Sequence, residues 1–180
     1  SRMCADDPAH IEDYAKLFAK EAKALHSTNC SVKGIVSRAE QLERIANDKK
    51  KYTSSIRKKI KSFLKKYPET NTCLHGDLQS GNIINAAGKN YWIDLGAFAY
   101  GNPIYDLAGV YFFYRMLPGR IYASGILHMN LRQLKKFWNG FIKEYLSDLT
   151  DKERKAYIEE IRNGVFIFLI YTADYEDHAG

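Results

Sequence analysis

Three polar residues in one short stretch have the chemistry to activate a hydroxyl and hold a hard cation. His75-Gly76-Asp77 follows a short apolar segment, Asn82 comes five positions after Asp77, and Asp94 ends a second apolar run twelve positions later. Phosphoryl transfer is a reaction that needs such a set. Its charge is spread over the moving group, so catalysis is mostly positioning and electrostatic neutralisation by Mg²⁺. One carboxylate takes or orients the proton of the acceptor hydroxyl, and hard oxygen ligands hold the metal. Each residue also has a plainer use. Asp77 after a glycine suits a turn, Asn82 can bond to nearby backbone, and Asp94 could answer a structural salt bridge. His75 reads as a hydrogen-bonded structural histidine. Asp106, twelve residues beyond Asp94 and behind Gly101-Asn102-Pro103, fits the first turn of a helix.

The elements around this stretch must position it. Asp7 as N-cap and Pro8 at the first helical position start a helix, in which Ile11, Tyr14, Phe18, Ala22 and Leu25 share a face. Ser37 and Glu40 have the spacing of a capping box, and a third helix stops before Pro68. The expected helices are therefore 8–26, 38–47 and 53–66. Between 72 and 94 the pattern becomes β-prone, at Thr72–His75, Asn82–Asn85 and Tyr91–Asp94, with a hairpin-like turn at Ala86–Asn90. Helical spacing returns after Pro103, with helices expected at Ile104–Arg115, Asn130–Leu146 and Asp151–Thr172 in a bundle over 103–174. The last is apolar on nearly every side after Ile161, which predicts a helix in the middle of that bundle. Tyr111, Phe112, Phe113 and Tyr114 read as core rather than as a platform for a substrate.

Composition narrows the classes. Of 180 residues, 46% are hydrophobic and 27% charged, the balance of one folded domain, 1–180. No run approaches the roughly 20 apolar residues of a membrane span, and the N-terminal SRMCADDP has no signal-peptide core. Cys4, Cys30 and Cys73 lack metal-ligand spacing and suit reduced thiols in a cytoplasmic protein. Much of the +6 net charge lies in Lys49–Lys66. Ile56, Ile60, Phe63 and Leu64 recur there at helical spacing, so the lysines form the solvated face of a helix rather than a nucleic-acid site.

Three linked motifs, HGDLQSGN, ID and GNPIYDLA, stand in order within Leu74–Ala108. In wording and spacing they resemble the aminoglycoside phosphotransferase and choline kinase family. A loop Asp and Asn followed by an Asp before a glycine is also similar to the protein kinases. The first helix, ending in Leu25-His26, resembles the family helix that enters the C-terminal lobe. The resemblance implies a mainly α fold with a small β insertion (α+β), the C-terminal lobe of a protein-kinase-like phosphotransferase with its β-rich N-terminal lobe absent. It implies Asp77 as catalytic base, Asn82 and Asp94 as Mg²⁺ ligands, and His75 and Asp106 as supports of the catalytic loop. ATP or GTP would be the donor and a hydroxyl of a small molecule the acceptor. Asp174, Glu176 and Asp177 lie where similar enzymes bind the acceptor. Leu95 and Asn102 depart from the usual aromatic and acidic residues without removing a ligand. With only seven residues before Pro8, a fragment of a longer enzyme is expected, its other partner being the N-terminal lobe of the same protein. The alternative is a non-catalytic kinase-like binding module. A polycationic acceptor would want a more acidic pocket than this basic chain suggests.

Overall fold

A computed structural model of the chain describes residues 6–179, without the side chains of Glu176, His178 and Ala179. After a 3₁₀ turn at Pro8–His10, the elements run α1 (Ile11–His26), α2 (Arg38–Asn47), α3 (Ser54–Lys66), β1 (Cys73–Leu74), β2 (Ile83–Ala86), β3 (Lys89–Trp92), β4 (Ala99–Tyr100), α4 (Ile104–Arg115), α5 (Leu117–Leu127), α6 (Leu131–Tyr145) and α7 (Asp151–Ala179). The fold is mainly α, with two small antiparallel sheets. β2 pairs with β3 as a hairpin, and β1 pairs with β4, Cys73 opposite Tyr100 and Leu74 opposite Ala99.

The core is built where apolar faces meet. Ile11, Ala15, Phe18, Ala19 and Ala22 of α1 recur every three or four residues and pack against Leu134, Phe137, Trp138 and Phe141 of α6. Phe18 meets Phe141 at 5.4 Å and Phe137 at 5.6 Å between ring centroids. α4 is the central helix, in contact with α5, α6 and α7. α6 opens with a complete capping box, in which the Asn130 side chain accepts from the Gln133 amide and the Gln133 side chain accepts from the Asn130 amide. α3 buries Ile60 and Phe63 and leaves Lys58, Lys61 and Lys65 in solvent, the amphipathic division its spacing predicts. Among the described residues no helix is long and apolar enough to cross a membrane.

Several elements depart from the sequence reading. Asp7 does not cap the first helix; its carboxylate bonds His10 and the Tyr14 hydroxyl. Ser37 accepts from the Glu40 amide and its hydroxyl donates to Glu69, but no bond from the Ser37 amide to the Glu40 side chain completes the box among the described residues. α5 lies between the helices that the spacing predicts, in a stretch containing Pro118, Gly119 and Gly125. Pro118 sits in its first turn, where no amide is needed. Gly119 is there because a Cβ would lie 2.1 Å from the Phe112 carbonyl oxygen. α7 is not the middle of the bundle. Leu169 is exposed and Phe166, Phe168 and Ile170 are half-buried, and Phe168 walls a cleft.

Candidate active site

The β-rich segment delivers the polar loops to one cleft. Asp77 follows β1, and Asp94 follows β3; both line a cavity of about 270 Å³ between the loops, α5 and α7. Asn82 closes a 3₁₀ turn, and its backbone oxygen accepts from the Ile93 amide at 2.9 Å, which brings it beside the Asp94 segment. The hairpin is fixed in turn to α1. Asn90 donates to Glu21 at 2.8 Å, and Trp92 meets Phe18 edge-on at 5.8 Å.

One oxygen of Asp77 is fully engaged. Gln79 Nε2 and Asn82 Nδ2 each donate to Oδ2 at 2.8 Å, and Asn82 Nδ2 also reaches the Asp77 carbonyl at 2.9 Å. Among the described residues Oδ1 has no protein donor, and it is left for the cleft. The same arrangement frees the amide oxygen of Asn82, since its nitrogen is the atom turned to Asp77. Asp94 is exposed and makes no hydrogen bond or ion pair among the described residues. Its backbone is left-handed, φ 58° and ψ 58°, a region that Asp tolerates better than most residues.

A buried scaffold stands behind the loop. Asp106, in the first turn of α4, accepts from the His75 amide at 2.7 Å, the Gly76 amide at 2.9 Å and His26 Nε2 at 3.1 Å. Burial alone would raise the pKa of this carboxyl. The His26 hydrogen bond and charge, with the two amides, outweigh it and hold the carboxyl below its ordinary value. Burial pushes the Tyr145 hydroxyl up, so it keeps its proton, and its oxygen lies 2.7 Å from His26 Nδ1, the ring nitrogen turned away from Asp106. His75 Nδ1 accepts from the Asp77 amide at 3.3 Å, which leaves Nε2–H to donate to the Ile93 carbonyl at 3.0 Å. The histidine thus ties the Asp77 loop to the strand that carries Asp94. Tyr114 adds a further tie, accepting from the Ser80 amide and donating to the Ser80 hydroxyl, both at 2.9 Å.

Gly76 is required where the two loops touch. Its φ is +85°, and a Cβ would lie 2.0 Å from the carbonyl oxygen of Ala97. Gly76→Ala combines backbone strain with a clash against backbone, and is expected to cost about 2–5 kcal/mol of stability. Chemical denaturation would measure it; a loss below about 1 kcal/mol would show that the loops separate easily.

The remaining candidates are placed elsewhere. The sequence set Asp174, Glu176 and Asp177 beyond a buried helix, but α7 runs on through them to Ala179. Asp174 is buried and engaged by Lys51 at 2.8 Å, the Tyr52 hydroxyl at 2.9 Å and Arg44 at 3.6 Å; Asp177 pairs with Lys51 at 2.8 Å. Neither acid lines the cleft, and Glu176 lies outside the described side chains. The cleft wall comes instead from Phe113, Tyr122, Ile126, Phe168 and Tyr175. Of the four aromatics read as core, Tyr114 is buried while Phe113 faces this cavity. Gln79, two residues from Asp77, is not among the residues singled out from the sequence, although its place inside HGDLQSGN is a signal for it. His26 was marked only as part of the Leu25-His26 resemblance, with no role attached.

A model of the phosphotransferase enzyme family matches residues 1–140, which include all three motifs and the loops just described. The chain belongs to this family. Among solved structures, this phosphotransferase-family chain is similar to the choline kinase LicA from Streptococcus pneumoniae, at 17% identity and a TM-score of 0.47. The match covers 92% of this chain and 57% of that one, so the chain spans little more than half the length of that kinase. No curated protein matches it.

Proposed function

We propose that this chain is the catalytic lobe of an ATP- or GTP-dependent phosphotransferase acting on a hydroxyl of a small molecule. The observation that carries the proposal is the division of labour at Asp77. Gln79 and Asn82 fix one carboxylate oxygen while the other faces the cleft shared with Asp94. A base that takes a hydroxyl proton needs such a fixed carboxylate with one free oxygen. Asn82 and Asp94 would hold Mg²⁺. The described residues contain no group of three or more His, Cys, Asp or Glu suited to a metal. The site therefore offers one free carboxylate and one amide oxygen, which fits an ion that takes few protein ligands and completes its shell with phosphates and water. When bound, the metal would neutralise charge on the phosphates. The remaining donor contacts would come from an N-terminal lobe of the same protein.

The cavity also bears on the acceptor. Asp77 and Asp94 are the only carboxylates in its described lining, and the walls are largely aromatic. Aromatic faces favour apolar groups and single organic cations, so a compact alcohol fits better than a polycationic sugar. Transfer of label from γ-labelled ATP or GTP to a panel of amino alcohols, sugars and aminoglycosides tests this. Labelling confined to aminoglycosides would refute the acceptor class.

Calorimetric titration of Mg·ATP into the protein tests the metal site separately. Binding is expected in the native protein and lost in Asp94→Asn. Equal heats in the two would remove Asp94 from that role.

A further inference from the structure

Behind the catalytic loop lies a second, much smaller cavity, lined among others by Arg38, Leu42, Gly76, Tyr105, Asp106 and Tyr171. Its volume is about 10 Å³, room for the centre of one water-sized particle. Among the described residues five fully shielded side-chain polar atoms have no hydrogen-bond partner, and three of them belong to residues of this lining: Arg38 Nη1, the Tyr105 hydroxyl and the Tyr171 hydroxyl. Orphaned buried donors are rare in folded proteins, and each is costly. Three around one cavity mark a ligand.

Charge identifies the ligand's class. Arg38 is 2% exposed and makes no ion pair among the described residues. Its guanidinium stacks on the Tyr171 ring at 3.6 Å and donates through Nη2 to the Ala97 carbonyl at 2.8 Å. Burial lowers its pKa to about 10, and the charge of Asp106 opposes that only in part, so the group remains a cation at neutral pH. Asp106 also lines the cavity, but both its oxygens are taken, Oδ1 by Gly76 and Oδ2 by His75 and His26. A water molecule would satisfy the hydroxyls but leave the buried cation facing only Asp106, a carboxylate whose oxygens are both engaged elsewhere. A small anion accepts from all three donors and supplies the missing charge.

We propose that the cavity binds one monovalent anion of chloride size, held by Arg38 Nη1 and the hydroxyls of Tyr105 and Tyr171. The site does not depend on the catalytic reading. It reaches the active site through Arg38, whose other nitrogen holds the turn that follows Asp94.

The test compares thermal unfolding in sodium chloride, sodium bromide and sodium gluconate at one ionic strength, gluconate being too large for the cavity. The midpoint is expected to rise saturably with chloride or bromide, by about 3–6 °C at tenfold excess over the dissociation constant. Tyr105→Phe combined with Tyr171→Phe removes two donors at nearly constant volume, and the halide-specific rise is expected to vanish. In crystals grown from bromide, an anomalous peak is expected within hydrogen-bonding distance of Arg38 Nη1. A midpoint indifferent to the anion, or a cavity without bromide signal, would overturn the proposal and assign the space to water. Neither outcome touches the phosphotransferase reading, which is measured by transfer of label.

Discussion

Asp77→Asn is expected to lower the rate of phosphoryl transfer by about 10²–10⁴-fold while leaving the fold and Mg·ATP binding intact. The two donors on Oδ2, Gln79 Nε2 and Asn82 Nδ2, decide how the new side chain sits. An asparagine would turn its carbonyl oxygen toward them, because its NH₂ group would face two other donors. That orientation puts the NH₂ where Oδ1 stood, facing the cleft with protons of its own and no capacity to accept one. The loss should fall on the chemical step, with little change in substrate affinity. Single-turnover transfer of labelled phosphate measures it. A rate within a few-fold of the native protein would take the base role from Asp77. A large fall in unfolding midpoint would mean instead that the variant had lost loop structure. Gln79→Ala is the milder companion: it removes one restraint from Oδ2 and keeps the carboxylate.

The sequence made the catalytic stretch legible because its information is local. HGDLQSGN, ID and GNPIYDLA each place a polar side chain next to the turn or strand end that presents it, and the hairpin between them follows from Ala86–Asn90. The amphipathic helices were legible for the same reason, since three- and four-residue spacing reports a buried face directly. What escaped depends on approach between distant segments. The pairing of β1 with β4 joins two-residue strands too short to show alternation. α5 depends on Gly119 meeting the Phe112 carbonyl, a contact that no pattern within 117–127 announces. The apolar run of α7 was read as interior because periodicity cannot separate core from the wall of a cleft. His26 lies eighty residues from Asp106, and Arg38 lies fifty-nine from Ala97. Neither role is visible until the chain is folded.

Asp106 is where the fold and the site are joined, and its replacement is expected to have the largest effect on stability. The carboxylate collects three donors from the catalytic loop and α1, and among the described residues it is the only acceptor that the His75 and Gly76 amides have. Asp106→Asn keeps the shape but turns an NH₂ group toward at least one buried donor. A loss of about 3–5 kcal/mol at pH 7 is expected from breaking a buried, hydrogen-bonded charge. The pH dependence gives a sharper test. The folded carboxyl titrates below its ordinary value, so the unfolded chain takes up the proton first as pH falls. Its contribution is therefore fully present above about pH 4, the ordinary range for Asp, and is lost as pH drops through the depressed folded value. The stability gap between native and Asp106→Asn should narrow as pH falls below about 4. Urea denaturation of both proteins across that range measures the gap, and other carboxylates cancel in the difference. A gap that persists unchanged into strong acid would show that shape, rather than the buried charge, holds the catalytic loop on α4.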